Sequence, residues 1–189
     1  MRIIAGTMRG LKLTPVGTGD TDAHLRPTSD RVRENIFNLL MGGSYGNPVT
    51  DARVLDLFAG TGALGLEAMS RGAAHATFVD DGATALSLIR KNIALCRAQA
   101  DTQVLSRNAN RLGDCKGAPF DLIFIDPPYG QGLGEKALAC AWAGGWLAHD
   151  ALIVLEEGQV MLPPTNFDLL DQRRYGATSI SILKPHRQI

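Results

Sequence analysis

The amino-acid sequence predicts a doubly wound α/β fold, with a mostly parallel sheet of seven strands and an antiparallel C-terminal strand near one edge. From residue 53 onward, apolar runs of strand length alternate with segments of helical periodicity, which is the pattern of a parallel sheet covered on both faces. The last two strands have no room between them for a crossover helix, so they form an antiparallel pair. With 189 residues, 45% of them hydrophobic, the chain is long enough for one core.

Residues 1–49 are predicted to form an extension that precedes the sheet. Its first two apolar segments, RIIA and LKLTP, flank a glycine-containing turn and indicate a β-hairpin. A helix follows, capped by one of residues 28–30, with Val32 and Ile36 on its apolar face. The segment GGSYGNP at 42–48 ends this helix.

Residues 50–189 are expected to form the core of the same single domain, which covers 1–189. Five β-α units come first and a terminal hairpin follows. The strand segments are RVLDLF (53–58), HATFVD (75–80), TQVLS (102–106), FDLIFID (120–126), ALIVLEE (151–157), FDLLDQRRYG (167–176) and ATSISILKP (177–185). Because such sheets bind ligands beyond the carboxyl ends of their strands, the residues after each strand are the candidates for a site.

The composition excludes several classes of protein. No apolar run approaches the roughly 18 residues that span a bilayer, and the N-terminus MRIIAGTMRG lacks the pattern of a secretory signal. The three cysteines are widely spaced and contain no C-x-x-C pair, which argues against a disulfide framework and against a zinc site. We therefore expect a cytoplasmic protein without a metal or a membrane partner, and nothing in the sequence demands more than a monomer.

The charge is unevenly distributed along the chain, although 19 basic residues balance 19 acidic ones. Residues 1–19 carry a charge of +3 and residues 172–189 carry +4, neither with any acid, so the remainder carries −7. Basic ends on an acidic body are a candidate footprint for a polyanion. The alternative is that they are short solubilising tails.

A glycine loop follows the first strand of the core. Gly60, Gly62 and Gly65 satisfy G-x-G-x-x-G, and Asp80 stands where an acid holds ribose hydroxyls, so a nucleoside-bearing cofactor is predicted. A nicotinamide dinucleotide fits this pattern too. Asp56, however, lies four residues before Gly60, where its charge opposes a pyrophosphate and suits a sulfonium or an α-amino group. The stretch D-x-F-A-G-T-G resembles the cofactor loop of S-adenosylmethionine-dependent methyltransferases.

A second motif, Asp126-Pro127-Pro128-Tyr129, follows the fourth strand. The Asp126 carboxylate and the Pro127 carbonyl are two acceptors beside an aromatic plate, which suits a planar ring with an exocyclic amino group. The alternative is a rigid turn after a buried strand. Together the two motifs resemble the amino-methyltransferases, which modify adenine N6, guanine N2 or a glutamine amide, and the aspartate favours a nucleobase. A cytosine-C5 enzyme is excluded, because no cysteine follows a proline.

The flanking segments resemble one family, the RsmD family, from residue 1 to about 183. The resemblance is carried by MRIIAGTMRGLKL, RPTSDRVRENIFNLL, VLDLFAGTGALGLEAMSRGA, FVD, DLIFIDPPY and YGATSISIL. It implies a Rossmann-like methyltransferase that uses S-adenosylmethionine to methylate guanine N2 in 16S ribosomal RNA of the small subunit, usually at guanine 966.

The resemblance also implies roles for individual residues. The cofactor-binding set is Asp56, Phe58, Ala59, Gly60, Gly62, Asp80, Asn108 and Ala109, and the guanine is held by Asp126, Pro127, Pro128 and Tyr129. Two positions depart from the usual pattern: Asp80 replaces a common glutamate, and Asn108 replaces the aspartate that is usual in the wider superfamily.

The basic residues of the extension are assigned to RNA on the same resemblance. They are Arg2, Arg9, Lys12, Arg26 and Arg31, although the alternative for Arg31 and Arg33 is a solvated helix face. Three other functions stay open: an adenine-N6 or transfer-RNA methyltransferase with the same chemistry, a non-catalytic RNA-binding assembly factor, and an NAD-dependent dehydrogenase.

Overall fold

The computed structural model describes residues 1–15 and 29–186 and contains a seven-stranded sheet with helices on both faces. The helices are α1 (Asp30–Met41), α2 (Ala63–Ser70), α3 (Ala83–Leu95) and α4 (Leu133–Ala143). The strands are β1 (Arg53–Leu57), β2 (His75–Asp80), β3 (Thr102–Ser106), β4 (Phe120–Ile125), β5 (Leu147–Glu157), β6 (Phe167–Tyr175) and β7 (Thr178–Pro185).

The strand order is β3-β2-β1-β4-β5-β7-β6, and it confirms the predicted fold class. The first five strands pair in parallel, whereas β7 pairs antiparallel with both β5 and β6. The antiparallel strand thus lies one place in from the edge, and β6 forms the edge itself. This is a Rossmann-like sheet whose last hairpin closes one side.

The connections between strands correct the predicted count of five β-α units. α2, α3 and α4 cross over after β1, β2 and β4. Residues 107–119, all of them described, contain only a single 3-10 turn at Ala109–Arg111, and residues 158–166 contain no helix. Between β3 and β4, the sheet is therefore covered by a loop and a short turn instead of a helix. Hydrophobic periodicity in the sequence does not distinguish such a segment from a helix.

Two apolar cores lie on opposite faces of the sheet, because side chains alternate along each strand. Val54 and Phe78 face α1, α2 and α3, whereas Leu55 and Ile123 face α4. Within α1, the buried apolar residues are Ile36, Phe37 and Leu40. Val32 is partly buried and packs against the same core, so the predicted apolar face of this helix is the one that contacts the sheet.

The N-terminal extension forms the predicted hairpin, in a short form. Arg2 and Lys12 make an antiparallel β-bridge, flanked by main-chain hydrogen bonds from Ile3 N to the Leu11 carbonyl (2.9 Å) and from Leu13 N to the Met1 carbonyl (3.3 Å). No longer strand forms within residues 1–15. The main-chain N–H groups of Ile4 and Ala5 donate to the two carboxylate oxygens of Glu67 on α2, at 2.7 and 3.0 Å. Because a side chain on another helix takes these donors, they are not available for a strand ladder.

Glu67 is fully buried and forms the centre of an ionic network that includes the helix residue Arg33. The Glu67 carboxylate accepts from Arg71 Nε at 2.8 Å, and Arg33 Nε lies 3.9 Å from Glu67 Oε2. Arg33 also donates to the Arg2 carbonyl and, at 2.9 Å, to Asp30. Arg33 has no solvent exposure, so a solvated-face role for it is wrong. The network ties α1 and the extension to α2.

Among the described residues, no helix is long and apolar enough to cross a membrane.

We expect Glu67→Gln to lower the free energy of unfolding by about 3 kcal/mol or more, because it removes the buried negative charge that faces both Arg33 and Arg71 and leaves Arg33 with Asp30 alone. Urea denaturation followed by circular dichroism measures the change. The matched control is Glu34→Gln on the exposed face of α1, which should change the same quantity by less than about 0.5 kcal/mol. Equal stability of the two variants would contradict the role given to Glu67.

Candidate functional site

The candidate site lies where β1, β2 and β4 end. In the parallel register, Leu57 of β1 pairs with Val79 of β2 and with Ile125 of β4. The N–H of Asp126 donates to the Leu57 carbonyl at 3.4 Å, so the second motif begins directly beside the glycine loop. Two motifs that are far apart in sequence therefore form one surface.

The glycine loop turns sharply as it leaves β1. Phe58 has a φ of 59°, a left-handed conformation that is costly for a bulky residue. The turn is stabilised by bonds from Ala59 N to the Val79 carbonyl (3.1 Å) and from Gly62 N to the Ala59 carbonyl (2.7 Å). Strained backbone of this kind concentrates at functional sites, which supports a ligand-binding role for the loop.

The third glycine of the motif has a packing role. A Cβ on Gly65 would lie 2.5 Å from the Phe78 ring and 3.1 Å from Asp56 Oδ2. Any side chain at this position would push α2 away from β2. The glycine thus lets the helix that follows the loop approach the sheet closely.

Asp56 is 1% exposed, and its carboxylate faces the first turn of α2. Its Oδ2 accepts from the N–H of Gly65 at 2.9 Å. Burial raises the pKa of Asp56 to about 8, while the bond from Gly65 opposes the rise and the charge of Asp80 adds to it. Asp56 is therefore largely neutral at pH 7, and a cation placed beside it would favour its ionised form.

Asp80 connects the glycine loop to the start of α3. Its two carboxylate oxygens accept from Gly60 N and from Gly82 N, each at 2.9 Å. Burial raises the pKa of Asp80, and these two bonds oppose the rise. Since a carboxylate offers about four acceptor positions, the half-buried Asp80 retains capacity for the hydroxyl groups of a sugar.

Asn108 and Ala109 follow β3 at the same edge, and the structure places them differently. Asn108 is exposed; its amide donates to Asp81 at 2.7 Å and accepts from Asn110 N at 2.9 Å. The side chain of Ala109 is buried in the core below α4. Only the main chain of Ala109 is therefore in a position to border a ligand.

The second motif forms the opposite wall of the site. Asp126, Pro128 and Tyr129 are partly exposed and Pro127 is buried. The Tyr129 hydroxyl lies 2.5 Å from Glu156 Oε1, to which it donates. The arrangement presents a carboxylate, a carbonyl and an aromatic ring at one corner.

The basic residues assigned to RNA lie in the extension. Arg2, Arg9, Lys12 and Arg31 are all exposed, whereas Arg26 lies outside the described residues. Arg2 and Lys12 are bridge partners, and Arg31 lies in the first turn of α1. The turn that carries Arg9 contacts Ser70 at the last residue of α2, whereas the glycine loop precedes the first turn of that helix, about 12 Å away.

Asn92 of α3 connects the extension to the glycine loop. Its buried amide accepts from Thr14 N at 2.7 Å and donates to the Thr61 carbonyl at 2.9 Å. Sequence analysis missed this residue, as it missed Glu67. The signals were present: each is a polar residue on the apolar face of its helix. Their partners in the extension, Ile4 for Glu67 and Thr14 for Asn92, lie more than sixty positions away along the chain and cannot be identified from sequence.

Among the described residues, no group of three or more histidine, cysteine, aspartate and glutamate side chains is arranged to hold a metal ion.

Comparisons with known proteins give one consistent result. A model of the family described as "Conserved hypothetical protein 95" matches residues 1–184. Ribosomal RNA small subunit methyltransferase D of Escherichia coli K12 is 40% identical over 100% of this chain and 91% of that protein. The Haemophilus influenzae protein of the same name is 36% identical over 95% and 91%. The solved structure of the putative methyltransferase yhhF from Escherichia coli has a TM-score of 0.81 at 37% identity, covering 100% of this chain and 99% of that one.

We expect the free energy of unfolding to fall as pH rises from about 5 to about 8, partly through Asp56. The folded protein retains a proton on Asp56 up to a pKa of about 8, whereas an unfolded aspartate loses it near the ordinary pKa of 3.8. Between these values the folded state binds more protons, so the slope contributed is at most about −1.4 kcal/mol per pH unit.

Asp56→Asn should remove that contribution, because the amide oxygen still accepts from Gly65 and does not titrate. Urea denaturation at several pH values checks this. Asp114→Asn, an exposed position, is the control and should leave the slope as in the wild type. A slope unchanged by Asp56→Asn would show that Asp56 ionises normally.

Proposed function

Because this chain belongs to the RsmD family, described as "Conserved hypothetical protein 95", we propose that it methylates small-subunit ribosomal RNA at the N2 amine of a guanine, with S-adenosylmethionine as donor. The observation that carries the proposal is the pairing of Leu57 with Ile125, which places the Asp126 corner beside the glycine loop. The relatives named as ribosomal RNA methyltransferases match both the extension and the core. The finer assignment, including the family's usual guanine 966, rests on the resemblance and on the chemistry of this corner.

The residues of the glycine loop fit the proposed cofactor. When bound, S-adenosylmethionine supplies an electrophilic methyl group on a positively charged sulfur. Asp56 and Asp80 are two carboxyl groups beside the loop whose pKa values are raised chiefly by burial, so a positive ligand would stabilise their ionised forms. Asp80 would hold the ribose, the backbone of Phe58 to Gly62 would border the methionine part, and Asn108 with the main chain of Ala109 would border the adenine.

The Asp126 corner supplies what an aryl amine lacks as a nucleophile. The lone pair of such an amine is delocalised into its ring. Two N–H bonds, one to the Asp126 carboxylate and one to the Pro127 carbonyl, would turn that lone pair out of the ring plane, while Tyr129 stacks on the base. The amine nitrogen would then bond to the methyl carbon as the carbon–sulfur bond breaks, with the electron pair of that bond going to sulfur. The nitrogen afterwards loses one proton, which Asp126 can pass to water.

The exposed bases of the extension provide the proposed RNA contact. Arg2 and Lys12 lie side by side on the bridge, and Arg31 is adjacent to Asp30, whose carboxylate lies 3.9 Å from Arg2 Nε. The two neighbouring cations of the bridge suit a phosphate backbone, and Arg31 is a further exposed base in the first turn of α1. An rRNA substrate places the proposed activity in the cytoplasm.

The experiment that tests the function is methyl transfer to naked 16S rRNA, to assembled small subunits and to transfer RNA, with the modified nucleoside identified by mass spectrometry. We expect N2-methylguanosine in the rRNA. N6-methyladenosine, or transfer to transfer RNA alone, would replace the proposed specificity with the corresponding alternative. Calorimetry with S-adenosylmethionine and with NAD tests the cofactor, and a preference for NAD would overturn the proposal.

Asp126→Ala should lower kcat by about 100-fold or more, because the amine loses the acceptor that orients it. Cofactor affinity, measured by calorimetry, should stay within about twofold of the wild type. Asp121→Ala, at the opposite end of β4, is the matched control and should leave kcat nearly unchanged. Turnover close to normal in Asp126→Ala would remove Asp126 from the mechanism.

Lys12→Ala should weaken RNA binding and reduce the slope of log affinity against log salt by about one unit. The loss of one phosphate contact releases one fewer counterion, whatever the RNA sequence. Lys116→Ala is the control, since Lys116 is also an exposed lysine but lies outside the extension, in the loop before β4. Equal slopes for the two variants would show that the extension does not contact RNA.

A further inference from the structure

The Tyr129 side chain is anchored from two neighbouring strands. Its hydroxyl donates to Glu156 Oε1 at 2.5 Å and lies 3.1 Å from Thr178 Oγ1. Glu156 is near the end of β5 and Thr178 is the first residue of β7, so the hydroxyl is held where these two strands pair. The far end of the ring is thereby fixed to the sheet.

The near side of the ring is constrained by Gly158. A Cβ at this glycine would lie 2.9 Å from Tyr129 Cδ2 and 3.3 Å from its Cβ and Cγ. Only a glycine lets the main chain after β5 approach the ring so closely. One side of the ring therefore rests on backbone, and its rotation is limited.

Glu157 fixes the main chain on which the ring rests. Its Oε2 accepts from Gly158 N at 3.3 Å, and its carboxylate also accepts from the main chain of Gly130, which follows Tyr129. Consecutive glutamates thus act on opposite faces of β5. Glu156 accepts from the hydroxyl of Tyr129, whereas Glu157 accepts from the main chain of Gly130, next to Tyr129, and of Gly158, against its ring.

Burying Glu156 at this place is costly for the fold. It is 4% exposed, and a carboxylate in such surroundings loses most of its hydration. A short bond from a phenol offsets part of that loss, but a tyrosine–leucine contact would hold the strands without any charge. The arrangement is better explained by a requirement for the orientation of the ring than by stability.

We propose that Glu156 and Thr178 are positioning residues that hold the plane of the Tyr129 ring for stacking on an extruded purine base. This inference rests on the proposed function and deepens it. A ring fixed in advance loses no rotational freedom when the base arrives, and it sets the direction from which the amine meets the methyl donor. Thr178 and Glu156 do not contact the reacting atoms and act through Tyr129.

The test is a double-mutant cycle on methyl transfer to the rRNA substrate. Tyr129→Phe keeps the ring and removes its hydroxyl, and Glu156→Ala removes the acceptor. We expect each to lower kcat/KM by about 10-fold or more, with cofactor affinity unchanged, and the double variant to be no worse than either single one. Glu156→Gln retains an acceptor and should recover most of the activity.

A structural role alone would give a different pattern. The losses of activity would then follow the loss of stability of each protein in urea. If instead the two residues act independently of each other, their effects multiply in the double variant. Either outcome, or a Tyr129→Phe variant with wild-type kinetics, would overturn the proposal.

A second measurement does not depend on activity. In proton NMR, a phenol bonded to a buried carboxylate should give a downfield, slowly exchanging hydroxyl resonance, which is assigned by its loss in Tyr129→Phe. Burial and the Glu156 carboxylate also raise the pKa of Tyr129, which keeps this proton in place at neutral pH. The resonance should disappear in Glu156→Ala and shift in Glu156→Gln.

The two measurements separate the possible failures. Wild-type protein that methylates no rRNA but shows the resonance would overturn the proposed function and the stacking role, leaving only the hydrogen bond. If the wild-type protein methylates rRNA but the double-mutant cycle shows no coupling between Tyr129 and Glu156, only the positioning role is overturned.

Discussion

The register of three parallel strands is the constraint on which the site depends. Val79, Leu57 and Ile125 lie in one row across β2, β1 and β4, so the residues that follow them emerge side by side. Asp80 and Asp126 are consequently separated by two strand spacings, or about 10 Å. A shift of one residue in either pairing would reverse every side chain of that strand between the two cores, so burial protects the geometry of the site. The relative positions of the site residues are therefore determined by the register of these three strands.

Helix α2 connects this row to the extension. Its first turn closes on Asp56 through Gly65, and its last turns hold residues 4–8 through Glu67 and Ser70. Since Gly65 allows the helix to lie directly on Phe78, the helix has little freedom to move relative to β2. The residues of the extension are therefore rigidly connected to the glycine loop through α2. Asn92 adds a second connection at Thr61.

Local patterns predicted those parts of the structure that local chemistry determines. The bounds of β2 and β3 follow from their apolar runs, and the terminal hairpin follows from the short distance between its strands. The predictions were incomplete or wrong where the conformation or burial of a residue depends on a partner far away in sequence. The hairpin of the extension is short because the main-chain N–H of Ile4 donates to Glu67 and not to a neighbouring strand. Arg33 is buried because Glu67 and Asp30 are its ionic partners. No sequence pattern reports a partner 34 positions away.

The candidate site shows the same division. Its motifs were visible as consecutive residues, but the anchoring of Tyr129 was not, because it depends on the position of β7 in the sheet. Strand order 5-7-6 brings Thr178 next to Glu156, whereas the order 5-6-7 would bring another strand to that place. The sequence is compatible with either order of the hairpin.

The acids at this edge explain why the chain combines a net charge of zero with basic ends. Burial raises the pKa values of Asp56, Asp80 and Glu157, so an empty site is destabilised whenever these groups ionise together. A cationic ligand reverses that penalty, and its binding energy is then coupled to their ionisation. A polyanion is repelled by these carboxylates when they ionise, whereas the exposed Arg2, Lys12 and Arg31 of the extension attract it. Under the proposed function, the RNA backbone would therefore bind to the extension, and only a base extruded from the RNA helix would enter the site.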